Sequence, residues 1–245
     1  MHLSGSDVIA ANLAAIRQRM AAACRRSGRD PQQVRLLAVS KTQPVSMVQA
    51  AVAAGQWLFG ENRVMEARDK ITALAQSDGS GGAAAVPLRA LQWHLIGPLQ
   101  RNKAKVAAGL FQMIHSVDSL PLAEALAMAT GAGASLSILL QVNVGREPQK
   151  SGVVPEEAEA LARALARLPG LALCGLMAIP PQTDTAAAAR SHFRALADLA
   201  RHIDRQAIAG VAMTELSMGM SHDFEVAIEE GATWVRVGSA LFGER

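Results

Sequence analysis

Apolar residues at Ile9, Leu13, Ile16 and Met20 recur in steps of four, three and four. That spacing lines one face of a helix, with Ser6 as its candidate N-cap. The run Arg35–Ser40 (RLLAVS) then breaks the period and predicts a strand. From there a unit repeats. Strand-like runs follow at Trp57–Phe59, Leu91–Ile96, Gln112–Val117, Leu136–Asn143, Leu171–Ile179, Thr214–Met218 and Thr233–Val237, which with the first makes eight. Helical stripes lie between them. Val45, Val48 and Val52 step at helical spacing and stop at Gly55; Val64, Ala67, Ile71 and Leu74 do the same. Pro155 opens a helix with Glu156 and Glu157 in its first turn, where carboxylates suit the dipole, and Ala158, Leu161 and Leu165 form its buried face. Phe193, Leu196, Leu199 and Ile203 give a further stripe, and Phe224 and Ile228 a short last one before Gly231.

Strand and helix therefore alternate. Several strands (LSILLQV, LALCGLMAI) are near-continuous apolar runs, the signature of parallel strands covered on both faces. Eight such units in 245 residues predict an α/β fold, a (β/α)8 TIM barrel of one domain over residues 1–245, with an extra N-terminal helix. A doubly wound open sheet is the competing topology. The segment Ser77–Pro87 (SDGSGGAAAVP) reads as a flexible surface loop, too short to separate domains.

Composition narrows the function classes. Half the residues are hydrophobic and 18% are charged, so a packed core is expected. A net charge of +3 is a weak field over this length. Aromatics are 3% and Tyr is absent, which argues against base stacking and a nucleic-acid partner. Cys24 and Cys174 cannot make a disulfide framework and fit a reducing, cytoplasmic compartment. No secretory signal opens the chain, since Ser4, Asp7, Arg17 and Arg19 interrupt the apolar run. The uncharged stretch Ala125–Gly145 carries central glycines and polar residues, so a helix end, a turn and a strand explain it better than a membrane span.

Barrel chemistry sits at the C-terminal ends of the strands. There the first strand runs into Ser40-Lys41-Thr42. The chain has five lysines against nineteen arginines, so a lysine at this point is a candidate for chemistry that guanidinium cannot perform. A desolvated amine can lose its proton and attack a carbonyl to form a Schiff base. Alternation puts Lys41 on the face of Leu37 and Val39, and a barrel-facing amine should have a lowered pKa. From position alone, a solvent-facing lysine beginning a loop is the simpler reading. Arg236 lies inside WVRVG with no neighbouring acid, so its partner is either a distant residue in a structural salt bridge or a ligand. Ser217-x-Gly219-x-Ser221 and Gly238-Ser239 are small-residue turns after strands seven and eight, a frequent phosphate site in barrels. No P-loop, HxH or HExxH pattern is present, and no metal is expected. His94 reads as a strand histidine with a local hydrogen bond, and Cys174 as core.

These residues resemble a known family. AVSKTQP (38–44), FGENRVMEA (59–67), WHLIGPLQRNK (93–103), HSVDS (115–119), KSG (150–152), GLMAI (175–179), LSMGMSHD (216–223) and VRVGSALFG (235–243) are similar to the pyridoxal phosphate homeostasis proteins, in order and over nearly the whole chain. The resemblance implies the barrel of alanine racemase, a fold-type III arrangement for pyridoxal 5'-phosphate (PLP). It implies an internal aldimine on Lys41 and Arg236 facing the pyridine nitrogen. It also implies phosphate held by Ser217, Ser221, Gly238 and Ser239, with Asn62 lining the site. The loop before KSG, residues 145–149, departs from the family's small or acidic residues, which leaves Lys150 without an assigned role. No basic cluster follows the last strand.

Three functions compete. A PLP carrier would hold the cofactor or deliver it to PLP-dependent apoenzymes. An amino-acid racemase needs an acid/base on each face of the cofactor. The related racemases take the second from a Tyr of an added domain, and this chain has neither that Tyr nor that domain. A Schiff-base aldolase would use Lys41 but leaves Arg236 and the small-residue turns unexplained unless its substrate is phosphorylated. The carrier is the reading the sequence favours.

Overall fold

The computed structural model describes residues 5–77, 90–131 and 133–244. Eight parallel strands close into a barrel in chain order. They are β1 (Arg35–Val39), β2 (Leu58–Glu61), β3 (Gln92–Leu95), β4 (Met113–Val117), β5 (Leu136–Gln141), β6 (Leu171–Met177), β7 (Val211–Ser217) and β8 (Trp234–Val237). Closure is direct: Leu36 and Leu37 of β1 pair with Val235 and Arg236 of β8. The barrel, and not the open sheet, is therefore the observed topology.

A helix follows each strand: α2 (Val45–Ala53), α3 (Val64–Ser77), α4 (Ala104–Leu110), α5 (Leu120–Ala129), α6 (Ala158–Leu165), α7 (Arg190–Arg205), α8 (Phe224–Glu229) and α9 (Ser239–Phe242). The extra N-terminal helix α1 (Gly5–Arg26) buries Ile9, Leu13 and Ile16 and packs against α2, α8 and α9. The Asn12 amide donates to the Leu241 carbonyl at 3.0 Å, tying α1 to α9. Two local expectations shift. Ser6 lies inside the first turn of α1 and is not its cap, and Pro155–Glu157 is a short 3-10 turn leading into α6. Residues 78–89, which hold most of the small-residue segment, lie outside the described residues.

Strand alternation separates two cores. One set of side chains packs outward under the helices. The other fills the barrel, where Leu37, Ile96, Met113, Leu139, Met177 and Trp234 form a separate apolar plug. Register irregularities on β5–β6 and β6–β7 bring backbones unusually close. A Cβ on Gly175 would sit 1.8 Å from the Glu215 carbonyl oxygen of β7. Gly175→Ala must therefore push two paired strands apart. We expect a loss of about 3 kcal/mol, or roughly 6–12 °C in Tm for a chain this size, read by thermal unfolding. An unchanged Tm would contradict this packing.

Candidate active site at the C-terminal mouth of the barrel

A cavity of about 480 Å3 opens at the C-terminal ends of the strands. Six of the seven side chains or backbones singled out from the sequence line it: Lys41, Asn62, Ser221, Arg236, Gly238 and Ser239. They come from the ends of β1 and β2, the turn after β7, and β8 with the turn after it, so only barrel closure unites them. Lys41 follows β1 by two residues and is half-buried. Its predicted face is correct: Leu37 is fully buried in the barrel plug, with Val39 packed against it.

Ser217 is the seventh, and it stands elsewhere. It is fully buried beneath the cavity and does not line it. Its Oγ accepts from Arg236 Nη1 at 2.7 Å and lies 2.8 Å from His115 Nδ1. Arg236 Nη2 donates to the Ala178 carbonyl at 2.9 Å. His115 Nε2 is in turn 3.0 Å from His94 Nδ1. The two imidazoles stand over Trp234, with ring centroids 6.0 and 4.8 Å from it. His94, His115 and Ser217 thus form a buried polar chain that runs from Trp234 of the apolar plug to Arg236.

Proton counting gives this layer a consistent direction. Arg236 can only donate, so Ser217 accepts from it and keeps its own proton for His115 Nδ1; His115 Nε2–H then donates to His94 Nδ1. Both imidazoles must be neutral for this to hold. Burial first, then the charge of Arg35, lowers the His94 pKa to about 4. Burial, then His94, Arg236 and Arg35, holds His115 well below its ordinary value. Burial also lowers Arg236 to about 10, so it stays charged at neutral pH. Among the described residues no carboxylate forms an ion pair with Arg236; the charge of Asp223 acts from farther away. A desolvated guanidinium held only by neutral oxygens is costly unless something electron-rich meets it.

The other side of the cavity is built from backbone. Gly219 adopts a left-handed φ of 89°, and a Cβ there would sit 2.5 Å from that of Ala227. This turn carries Ser221 back over β8. The Ser221 hydroxyl accepts from the N–H groups of Gly238 and Ala240, each at 3.3 Å. A Cβ on Gly238 would lie 3.3 Å from the Val39 carbonyl, so the closeness of these strands also requires a small residue. Two amide donors with long bonds to one hydroxyl, beside Ser239, can take an anion with little rearrangement. Ring-sized volume, an arginine at its floor, an amine on one wall and this cradle on another fit PLP. Among the described residues no cluster of three or more metal-binding side chains occurs, and no helix is long and apolar enough to cross a membrane. Lys150 donates to the Pro180 carbonyl at 3.1 Å, bordering a smaller neighbouring cavity.

Sequence reasoning did not find His115 and the true place of Ser217. His94 and His115 are 21 residues apart, and only the β3–β4 register, with His94 opposite Met113, brings their rings together.

The family described as alanine racemase, N-terminal domain, matches residues 11–245. The chain is 46% identical over 240 residues to the pyridoxal phosphate homeostasis protein of Pseudomonas aeruginosa, covering 98% of this chain and 96% of the relative. It superposes on PipY of Synechococcus elongatus, solved with PLP bound, with a TM-score of 0.80 and 40% identity, over 96% of this chain and 100% of that one. Alanine racemase from Corynebacterium glutamicum shares the fold, with a TM-score of 0.67 at 16% identity, over 98% of this chain and 61% of the racemase. With the barrel, the cavity and these relatives together, the chain belongs to the alanine racemase N-terminal domain family and, within it, to the pyridoxal phosphate homeostasis proteins.

Proposed function

We propose that this chain, as one domain in the cytoplasm, binds PLP covalently through Lys41 and holds it for delivery to PLP-dependent apoenzymes. The observation that carries the reading is the shared cavity: a buried Arg236 with no carboxylate contact among the described residues, the Lys41 amine, and the Ser221–Gly238–Ser239 cradle. When bound, PLP supplies an aldehyde that condenses with a lysine amine, with loss of water. Lys41 provides that amine. Arg236, fixed by Ser217 and the Ala178 carbonyl, presents its guanidinium to the ring nitrogen. Ser221, Ser239 and the Gly238 amide hold the phosphate, and Asn62 borders the ring. Ser217, which the resemblance implies on the phosphate, accepts from Arg236 beneath the cavity, and we assign it to holding that guanidinium.

The carrier reading is favoured over a racemase. Inversion needs proton donors on both faces, and Lys41 is the one base assigned. His222 also lines the cavity, with its Nε2 3.2 Å from Asp223 Oδ2, and the deuterium experiment below reads whether it acts as a second base. The identity of the relatives in name and length supports the same reading.

Borohydride reduction of PLP-saturated protein, followed by peptide mass mapping, should place a pyridoxyl group on Lys41. Holoprotein mixed with an apoenzyme under a scavenger of free PLP should still activate it. With alanine in heavy water, α-deuteration should exceed inversion. An adduct confined to another lysine would sink the attachment site. Enzyme-like racemisation without apoenzyme activation would favour the racemase.

A further inference from the structure

Behind the cavity wall a second lysine is buried. Lys70, on α3, is 7% exposed, and Glu61, at the end of β2, is fully buried. Lys70 Nζ donates to Glu61 Oε1 at 2.5 Å and to the Ser40 carbonyl at 2.6 Å, and lies 3.4 Å from Glu66 Oε1. The Ser40 hydroxyl donates to the same Glu61 oxygen at 2.7 Å. Glu66 accepts the backbone N–H of Thr42. Ser40 and Thr42 are therefore both tied to one charge cluster, and Lys41 is the residue between them.

Two features show that this cluster holds a conformation as well as its own charge. Thr42 is β-branched yet has a φ of 62°, in the left-handed region that such residues avoid. It stays there only if its surroundings impose it, and the bond from its amide to Glu66 does so. Ser40 is also fixed at two points at once: its hydroxyl donates to Glu61 Oε1 and its carbonyl accepts from Lys70 Nζ, so the residue before Lys41 is held through side chain and backbone together.

We propose that Lys70 is a positioning residue for Lys41: held by Glu61 and Glu66, it clamps residues 40–42 so that the Lys41 amine is presented to the cavity. The inference rests on the assignment of Lys41 as the attachment amine. It adds a role for Lys70, Glu61 and Glu66, none of which lines the cavity. The clamp acts on the rate and geometry of attachment, and not on the pocket that holds ring and phosphate.

That separation gives the test. Glu66 is partly exposed, so Glu66→Ala should fold. Glu66→Gln keeps an oxygen to accept from Thr42. Lys70→Met removes the centre of the cluster. Three quantities would be measured: amide–solvent exchange at Thr42 by NMR in PLP-free protein, the rate of covalent attachment of PLP, and the affinity for pyridoxine 5'-phosphate, which lacks the aldehyde. In Glu66→Ala, exchange at Thr42 should rise and attachment should slow, each about tenfold, with pyridoxine 5'-phosphate affinity within about twofold; Glu66→Gln should restore most of both. Lys70→Met should show the same pattern if it folds, and the Glu66 pair decides the matter if it does not. Equal losses for both ligands would mean a merely structural cluster and would overturn the proposal, as would an unchanged attachment rate. If the unaltered protein attaches PLP at another lysine, the assignment of Lys41 fails; the presenting role falls with it, and exchange at Thr42 still reports whether the clamp exists.

Discussion

Arg236→Met should lower PLP retention about a hundredfold while the barrel still folds. The expected loss follows from the kind of contact removed. Truncating one member of a buried, charge-assisted contact costs about 2–5 kcal/mol, and a hundredfold is about 2.7 kcal/mol. The effect on the unliganded protein is a balance. Removing the guanidinium leaves the Ser217 hydroxyl and the Ala178 carbonyl short of a donor, at about 1–3 kcal/mol for each unmet group. It also removes a desolvated cation that has no carboxylate in contact among the described residues. These oppose, so Tm should move far less than affinity. Met fills most of the vacated length, which limits the cavity term. Ser221→Ala and Ser239→Ala serve as the contrast. They should weaken PLP far more than pyridoxal, which lacks the phosphate, whereas Arg236→Met should weaken both. Retention measured by dialysis and the visible spectrum decides it. Retention within about threefold of the unaltered protein would remove Arg236 from the ligand.

Much of this arrangement could be read from the chain because it is written locally. Apolar runs of strand length, helical stripes and the small-residue turns each depend on neighbours a few positions apart, and they placed all eight strands. Lys41, Ser221, Gly238 and Ser239 follow from one rule, that barrel chemistry lies just past the strand ends; Arg236 stands inside β8 and was marked by its lack of a neighbouring acid, and Asn62 came from the family resemblance alone. What escaped depends on register between strands. Nothing near His94 announces His115, and nothing near Ser217 says that its hydroxyl points down to His115 and Arg236 instead of out to the cavity. A serine one residue farther along would face the other way. Lys70 escaped for a related reason. Read as a helix residue it is an ordinary surface lysine at four residues from Glu66, and only the packing of α3 over the end of β2 turns it inward. The scarcity of lysine, which singled out Lys41, applied equally to Lys70, and chain position alone gave no ground to extend it.

Between pH 6.5 and 5 the protein should lose stability faster than its carboxylates can explain, because of the two buried imidazoles. His94 titrates at about 4 in the fold against an ordinary 6.5. Its folded pKa is depressed, so the unfolded chain binds the extra proton first, and stability rises with pH across that interval. The full contribution is present above pH 6.5 and is lost as pH falls toward 4. At about 1.4 kcal/mol per pH unit, His94 alone removes about 2 kcal/mol by pH 5. His115 shifts in the same direction for the same first cause, burial, and its position against His94 means the pair titrates as a unit. Glu229 and Glu230 are also shifted down, chiefly by bonds to Arg190 and Arg194, but from an ordinary value of 4.5. Their stabilisation is lost only below that value, and Glu61, which burial shifts upward, adds stability as pH falls, so neither accounts for a loss above pH 5. Urea unfolding at pH 7, 6 and 5 would measure the slope, and His94→Gln with His115→Gln should flatten it. Parallel losses in the two proteins would show that the imidazoles do not titrate as a buried neutral pair. The consequence reaches the site, because a proton on His115 would place a second buried positive charge one hydroxyl away from Arg236. PLP retention should therefore fall in the same interval in the unaltered protein, and less steeply in the doubly substituted one.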